Sequence, residues 1–132
     1  MCGPDDTALE FVAKGTHCDV VHGIRSNGRM LAREFLQGLR TNEQARFYVD
    51  FQSLCDSGRL PSSRLAKFRT KMGVAWEFRN GPWRIGTFQH GRYWVLTHGF
   101  RKTGRRTQPG QIDKIERIRA EHVARIGEKE AE

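Results

Sequence analysis

The segment from Val74 to Arg106 constrains the fold more than any other part of the sequence, because it predicts a three-stranded antiparallel sheet. Asn80-Gly81 and His90-Gly91 each separate two runs that are rich in aromatic and β-branched residues. Asn-Gly favours a tight hairpin, since both residues tolerate the positive φ of a type I′ turn. We therefore expect strands near residues 74–79, 82–89 and 92–100.

Two-residue loops at Asn80-Gly81 and His90-Gly91 also predict which side chains lie opposite each other. Glu77 should face Arg84 in the first hairpin, and Arg84 should face Thr97 in the second. Because side chains alternate between the two faces of a strand, one face should be aromatic and the other polar. The aromatic face carries Trp76, Phe78, Trp83, Ile85, Trp94 and Leu96. The polar face, which we expect to be cationic and open, carries Glu77, Arg79, Arg84, Tyr93, Thr97 and, with a kink at Gly99, Arg101.

A strand and two helices are predicted before this sheet. Cys18–Ile24 is β-branched at its centre, which is typical of a strand. Apolar residues at helical spacing predict a first helix over 29–39. Thr41 and Gln44 have the spacing of a capping box, which predicts the start of a second helix that ends at Gly58 and Pro61. These two helices should cover the aromatic face of the sheet.

The remaining segments complete a single α+β domain over residues 17–127. Residues 1–16 are set apart as an extension whose order the sequence does not define, and 128–132 as a charged tail. The basic segment 62–73 has two interpretations, a solvated linker or a rim that follows a phosphate backbone. A thin isoleucine stripe predicts a marginally docked helix over 110–126. The predicted architecture is a small antiparallel sheet covered by two N-terminal helices, in the order β-α-α-β-β-β-α.

The net charge of +8 on 132 residues favours polyanionic partners. Cys2, Cys18 and Cys55 form neither a disulfide framework nor a zinc ribbon pattern, and His17, Cys18 and His22 are only a weak metal-ligand cluster. We therefore expect no metal and no cofactor. The N-terminus lacks the apolar core of a signal peptide, and no run of 18 apolar residues occurs, so we expect a cytoplasmic protein without a membrane span.

The order of short motifs W-E-F-R, W-R-I and H-G-F-R-K, followed by a charged helix, resembles the RelE/HigB superfamily of bacterial toxins. Within it, the ending is most similar to the phage-type HigB branch. The resemblance covers about residues 18–126. It implies a RelE-like fold and a ribosome-dependent mRNA endoribonuclease that inhibits translation. It also implies a neutralising antitoxin, expected to be a helix-turn-helix protein similar to HigA, with the ribosome and mRNA as the other partners.

Metal-independent cleavage of RNA uses the neighbouring 2′-hydroxyl as nucleophile and requires stabilisation of a dianionic five-coordinate phosphorus. Fixed cations suit that task, and the fork of an arginine matches phosphate oxygens. Arg84 and Arg101 are the expected pair, because they stand where similar RelE-type toxins carry functional arginines. Further nucleic-acid contacts are expected from Arg79, Lys67, Lys71, Arg105, Arg106 and Tyr93.

Proton transfer is expected to involve His98 and Lys102. The ordinary pKa of a histidine suits acid–base work, but strict alternation places His98 on the packed face beside Trp83. A bulge supported by Gly99 would reverse its direction, so a structural and a catalytic role both remain open. Lys102 has two interpretations, a phosphate contact or the family's basic catalytic group.

The sequence departs from the RelE-like pattern at Ala75 and Glu77, where similar toxins often carry lysines. Glu77 is either a cross-strand partner of Arg84 or a base. Two other functions therefore stay open: a non-catalytic toxin of the ParE gyrase-inhibitor type, and a basic RNA-binding module. For the antitoxin, we expect binding across the open face near Arg84 and Arg101 or at the C-terminal helix.

Overall fold

The computed structural model describes residues 9–127 and contains six strands and three helices in that range. The predicted C-terminal tail and the first eight residues of the predicted extension lie outside the described residues. In chain order the elements are β1 (Glu10–Lys14), β2 (Asp19–His22), α1 (Leu31–Gln37), α2 (Thr41–Ser57), β3 (Leu65–Thr70), β4 (Gly73–Asn80), β5 (Trp83–His90), β6 (Tyr93–Arg101) and α3 (Pro109–Ile126).

The six strands form one mixed sheet in the order β1-β2-β6-β5-β4-β3. Strands β2 and β6 are parallel, and the other neighbouring pairs are antiparallel. Helices α1 and α2 pack on one face, and α3 packs on the other. The predicted small antiparallel sheet covered by two N-terminal helices is therefore wrong in its size, its strand directions and its covering.

Two edge strands account for the error in size. Strand β1 lies inside segment 1–16, which the sequence predicts to be an extension, and β3 lies inside the basic segment 62–73. In β3, Leu65 is buried while Lys67 and Arg69 on the same face are exposed. Charged residues are common on edge strands, where they discourage pairing with other chains, and in the sequence they resemble a linker.

Both central hairpins differ from the predicted register by two residues. Asn80 pairs with Trp83 and His90 pairs with Tyr93, so the turns are Gly81-Pro82 and Gly91-Arg92. In each turn only the glycine has positive φ, at 59° and 64°, which is the pattern of a type II′ turn rather than the predicted type I′. A shift by two residues keeps the side chains between each turn and the bulge in β6 on their predicted faces. Beyond the bulge, Arg101 pairs with Trp83 and lies on the aromatic face, so its predicted place on the polar face is wrong. The predicted aromatic face is accordingly confirmed, and its members pack under α1 and α2.

A β-bulge in β6 determines the direction of His98. Thr97 and His98 together lie opposite Gly86, between the pairs Thr87–Leu96 and Ile85–Gly99. The extra residue turns both side chains towards α3, where His98 contacts Gln111. The next residue, Gly99, lies flat beneath the Phe35 ring of α1 and has no room for a Cβ atom. The bulge interpretation is confirmed, and the packed position beside Trp83 is wrong.

Helix α3 covers most of the face that was predicted to be open. Ile115 and Ile118 are fully buried, and Ile115 packs where Gly86 leaves room. Arg25 donates two hydrogen bonds of 2.9 Å to Glu121 of α3, which anchors the helix to the β2–α1 loop. The helix is thus docked more firmly than its thin apolar stripe predicted. One accessible part of this sheet face lies beyond the N-terminal end of α3.

The start of α2 also differs from its prediction by one residue. Arg40 is the N-cap, and the carboxylate of Glu43 accepts a hydrogen bond from its backbone N–H at 3.1 Å. Glu43 also accepts a hydrogen bond of 2.9 Å from Trp83 Nε1, so the same carboxylate ties the helix to β5. The predicted capping pair, Thr41 and Gln44, is therefore wrong. The predicted stop is confirmed, because Gly58 caps the helix with φ of 84°.

Candidate functional site

A cleft lies at the end of the sheet where β4, β5 and β6 meet the loop that leads to α3. We call it the basic cleft, because the cations that line it are Arg79, Arg84, Arg101, Lys102, Arg105 and Arg106. Among the described residues, Glu77 is the one carboxylate that lines it. Four of these cations come from the end of β6 and the exposed loop after it: Arg101, Lys102, Arg105 and Arg106. Cations therefore outnumber the negative charge available to them.

The floor of the basic cleft is a row of three residues across the sheet. Arg79 pairs with Arg84, and Arg84 pairs with Phe100. The next row towards the centre of the sheet contains Glu77, Gly86 and the bulged His98. Like charges directly opposite each other on neighbouring strands repel. A nearby anion would therefore stabilise the pair Arg79–Arg84.

Glu77, in the row behind the cleft floor, supplies negative charge to Arg79 and Arg84. Its side chain is buried, with 2% of the residue exposed. One carboxylate oxygen accepts a hydrogen bond of 2.8 Å from Arg79 Nε and lies 3.6 Å from Arg84 Nε. The other accepts a hydrogen bond of 2.6 Å from the Thr107 hydroxyl, which ties the β6–α3 loop to the sheet. One carboxylate shared by two guanidinium groups leaves an excess of positive charge.

Arg84 is held rigidly and is largely buried, with 8% of the residue exposed. Its Nη1 donates hydrogen bonds to the carbonyl oxygens of Gly81 and Trp83, at 2.8 and 3.0 Å. Burial lowers the pKa of the guanidinium, and the nearby Glu77 opposes this shift. An arginine stays charged under these conditions. Arg84 is thus a fixed cation with a structural role in the β4–β5 turn.

His98 lies directly behind the cleft floor and is 3% exposed. Its Nε2 is 2.7 Å from Gln111 Oε1, and its Nδ1 is 3.1 Å from the Thr97 hydroxyl. Burial lowers the pKa of His98 to about 4, although the hydrogen bond to Gln111 works in the opposite direction. The ring is therefore neutral at pH 7. A proton on Nε2 satisfies both contacts, with Gln111 accepting and the Thr97 hydroxyl donating to Nδ1.

The two predicted catalytic arginines occupy different surroundings. Arg101 pairs with Trp83, and its guanidinium carbon lies 5.2 Å from the centre of the Trp83 ring. Arg84 projects from the other face of the sheet, towards Glu77. Arg101 is exposed at the rim of the basic cleft, whereas Arg84 forms part of its floor. Lys102, Arg105 and Arg106 are exposed on the loop beside them.

The structure places three of the predicted nucleic-acid contacts away from the basic cleft. The Lys67 ammonium lies 5.4 Å from the centre of the Trp76 ring, on the side of α1 and α2. Lys71 is in the β3–β4 turn, at the opposite end of β4 from Arg79. Tyr93 begins β6 and is separated from Arg101 by eight residues, or about 26 Å of strand.

Three further residues of the cleft region were not predicted. Phe100 lines the cleft. It follows His98 by two residues within H-G-F-R-K, and residues two apart on a strand point to the same face, so the sequence contained a signal for its position. Thr107 and Gln111 bond to Glu77 and His98 across the loop and helix. These two contacts depend on where α3 docks, and nothing in the local sequence indicates them.

No metal-binding group of three or more His, Cys, Asp or Glu side chains occurs within residues 9–127. Cys18 and Cys55 are buried free thiols, and Cys18 Sγ lies 3.4 Å from the carbonyl oxygen of Leu54. Over the same range, the helices are too short or too polar to cross a bilayer.

The fold and the basic cleft together define a small basic α+β protein with a site suited to anions. The chain belongs to the phage-derived protein Gp49-like family (DUF891), which matches residues 34–120, more than half of its length. That stretch includes β3 to β6 and all the residues of the basic cleft. The family is associated with toxins of the RelE/HigB type, and membership implies an antitoxin partner. No curated protein matches the chain.

Proposed function

We propose that this protein is the toxin of a toxin–antitoxin system and that it cleaves mRNA on the ribosome without a metal ion. The observation that carries the proposal is the cleft floor, where Arg79 and Arg84 face each other and share the single carboxylate of Glu77. A phosphate diester is an anion of the size and geometry that two guanidinium forks can bind. Membership of the Gp49-like family supports the toxin role.

In this mechanism, Arg79 and Arg84 bind the non-bridging oxygens of the scissile phosphate. The 2′-hydroxyl of the preceding ribose attacks the phosphorus and releases its proton to water, the bond from phosphorus to the leaving 5′-oxygen breaks as that oxygen is protonated, and a 2′,3′-cyclic phosphate is formed. Charge on the non-bridging oxygens increases in the transition state. Arg84 is already fixed by Gly81 and Trp83, so its charge acts without reorganisation.

The exposed cations of the β6–α3 loop have complementary roles in the proposal. Arg105 and Arg106 contact the phosphates on either side of the cleaved bond, and Arg101 contributes from the rim. Lys102 gives a proton to the leaving 5′-oxygen. His98 takes part in proton transfer only when Gln111 moves aside, because both of its ring nitrogens are engaged. When Gln111 stays in place, His98 acts as a positioning residue.

The antitoxin in this proposal is a helix-turn-helix protein similar to HigA, encoded beside the toxin. It neutralises the toxin by placing an acidic segment over the basic cleft. The net charge of +8 would attract an acidic segment through long-range electrostatics and would increase the association rate.

Expression of the protein without an antitoxin, followed by mapping of mRNA 5′ ends, tests the proposal. Growth should stop, and new 5′ ends should appear within translated regions and disappear when ribosomes are blocked before initiation. Replacing Lys102, Arg105 and Arg106 by alanine should remove these ends. As a matched control, replacing Arg46, Arg59 and Arg117 removes the same charge from exposed positions outside the cleft and should leave the ends unchanged.

The alternatives give different results in the same experiment. A toxin of the gyrase-inhibitor type would stop growth without new 5′ ends, and an RNA-binding module would give neither ribosome-dependent ends nor a specific effect of the cleft variant. Equal loss of activity in both triple variants would show that total charge, rather than the cleft, is responsible. Cleavage that stops when a transition-metal chelator is added at constant magnesium would contradict the metal-independent mechanism.

A further inference from the structure

Phe100 is the third residue in the row that forms the cleft floor. It pairs with Arg84, so their Cα atoms are separated by one strand spacing, about 5 Å. It is only partly buried and lines the basic cleft. A core phenylalanine would be enclosed by apolar side chains, as Phe47, Phe51 and Phe78 are. Phe100 instead stands beside two arginines at the edge of solvent.

The ring of Phe100 is supported on one face. It stacks on the His98 ring with centroids 5.2 Å apart and an interplanar angle of 29°. Among the described residues, no second aromatic ring and no cation stacks on it. His98 cannot turn freely, because both of its ring nitrogens are bonded. The result is a flat apolar surface that is held in place before any ligand binds.

We propose that Phe100 is a stacking platform for one nucleobase of bound RNA, the base adjacent to the phosphate held by Arg79 and Arg84. This inference rests on the proposed function. Arg84 and Phe100 lie directly opposite each other on neighbouring strands and line the same cleft, which places the ring beside the cation proposed to bind the phosphate. Stacking on an aromatic ring is open to every base, because each base has a π face. Phe100 should therefore position the RNA without selecting a sequence.

Binding of two single-stranded probes to the purified protein tests this platform. One probe is a fluorescent RNA hexanucleotide, and the other is the same ribose–phosphate chain without bases. Phe100→Leu should weaken binding of the base-bearing probe by about 5- to 150-fold, the range expected for one lost base–aromatic stack. Binding of the probe without bases should be unchanged. Phe100→Trp should keep the preference for bases, and Tyr48→Leu, at an exposed aromatic residue on α2, should leave both affinities unchanged.

Every other outcome contradicts base stacking on Phe100, and each points to a different cause. If Phe100→Leu weakens both probes by the same factor, Phe100 has only a structural role, while the RNA-binding cleft stands. If neither Phe100→Leu nor Phe100→Trp changes the ratio of the two affinities, the base lies elsewhere. If Phe100→Leu fails to fold, Phe100→Trp decides, because loss of the base preference in this folded variant would contradict stacking. If the wild-type protein binds neither probe, the proposed function fails together with the platform.

Discussion

Removal of Arg84 should destabilise the fold as well as change the basic cleft. The guanidinium is almost fully buried and bonds to the carbonyl oxygens of Gly81 and Trp83, beside the carboxylate of Glu77. Arg84→Met keeps the length of the side chain and removes these interactions. Glu77 then remains buried with Arg79 and Thr107 as its partners.

The cost can be worked from these contacts. A hydrogen bond to a charged group contributes about 1.5–3 kcal/mol, and removal of one partner of a buried ion pair costs about 3–5 kcal/mol. Glu77 keeps two partners and the Gly81 carbonyl is near solvent, so we expect a loss of about 2–3 kcal/mol. With about 2.1 cal/mol/K of unfolding entropy per residue, a 132-residue chain has about 280 cal/mol/K. The melting temperature should therefore fall by about 7–11 °C.

A double-mutant cycle in urea separates the ion pair from the other contacts. Arg84→Met, Glu77→Gln and the double variant should show a coupling of at least about 1 kcal/mol, because a neutral amide in place of the Glu77 carboxylate no longer needs the Arg84 charge. Arg105→Met, at an exposed cation of the same cleft, should change stability by less than about 0.5 kcal/mol. Additive effects in the cycle would refute the coupling of Arg84 to Glu77. Loss of toxicity in an Arg84 variant therefore has a catalytic meaning only where the fold is shown to persist.

Three further predictions concern acid sensitivity, the α1 contact and the antitoxin. Burial lowers the pKa of His22, His98 and His122 to about 4, whereas in the unfolded chain it is near 6.5. The unfolded chain therefore takes up protons first, so stability is complete at pH 7 and is lost as pH falls from 6.5 towards 4. Urea unfolding should show a loss of about 1–2 kcal/mol per histidine between pH 7 and pH 5, and equal stability at both values would contradict this. Gly99→Ala should lower the free energy of unfolding by about 1–3 kcal/mol, because the added Cβ atom forces Phe35 away from β6. Gly104→Ala is the control: its Cβ atom would be 3.5 Å from the nearest atom, so thermal unfolding should show no change in stability. Arg101→Glu with Arg105→Glu should slow association with the antitoxin and flatten its salt dependence, and unchanged rates across ionic strength would place the antitoxin elsewhere.

The sequence was sufficient for those elements whose patterns are local. Asn80-Gly81 and His90-Gly91 located both central hairpins to within a residue or two, and Gly58 located the end of α2. The aromatic face was correct despite the wrong register, because an even shift preserves the alternation of side chains. The association with RelE/HigB-type toxins was also correct at the level of the family, and assignment to the HigB branch stays a prediction.

The errors come from features that depend on tertiary contacts. Strand β3 carries Lys67 and Arg69 on an edge, so its pattern resembles a solvated linker until β4 is beside it. The parallel pairing of β2 with β6 joins segments that are about seventy residues apart, and no local signal indicates it. Docking of α3 likewise depends on the space above Gly86 and on the Arg25–Glu121 ion pair. The open face was overestimated for that reason.

The charge of the cleft floor follows from the chemistry of a single turn. An Asn80-Gly81 turn would have placed Glu77 opposite Arg84, a neutral pair with little need for another anion. Pro82 has its φ fixed near −65°, which suits the second central position of a type II′ turn after a glycine with positive φ. The turn therefore moves to Gly81-Pro82, and the register moves by two residues, so that Arg79 faces Arg84. Glu77 is left one row behind, shared by both arginines, and the unbalanced positive charge stays at the end of the sheet where α3 does not cover it.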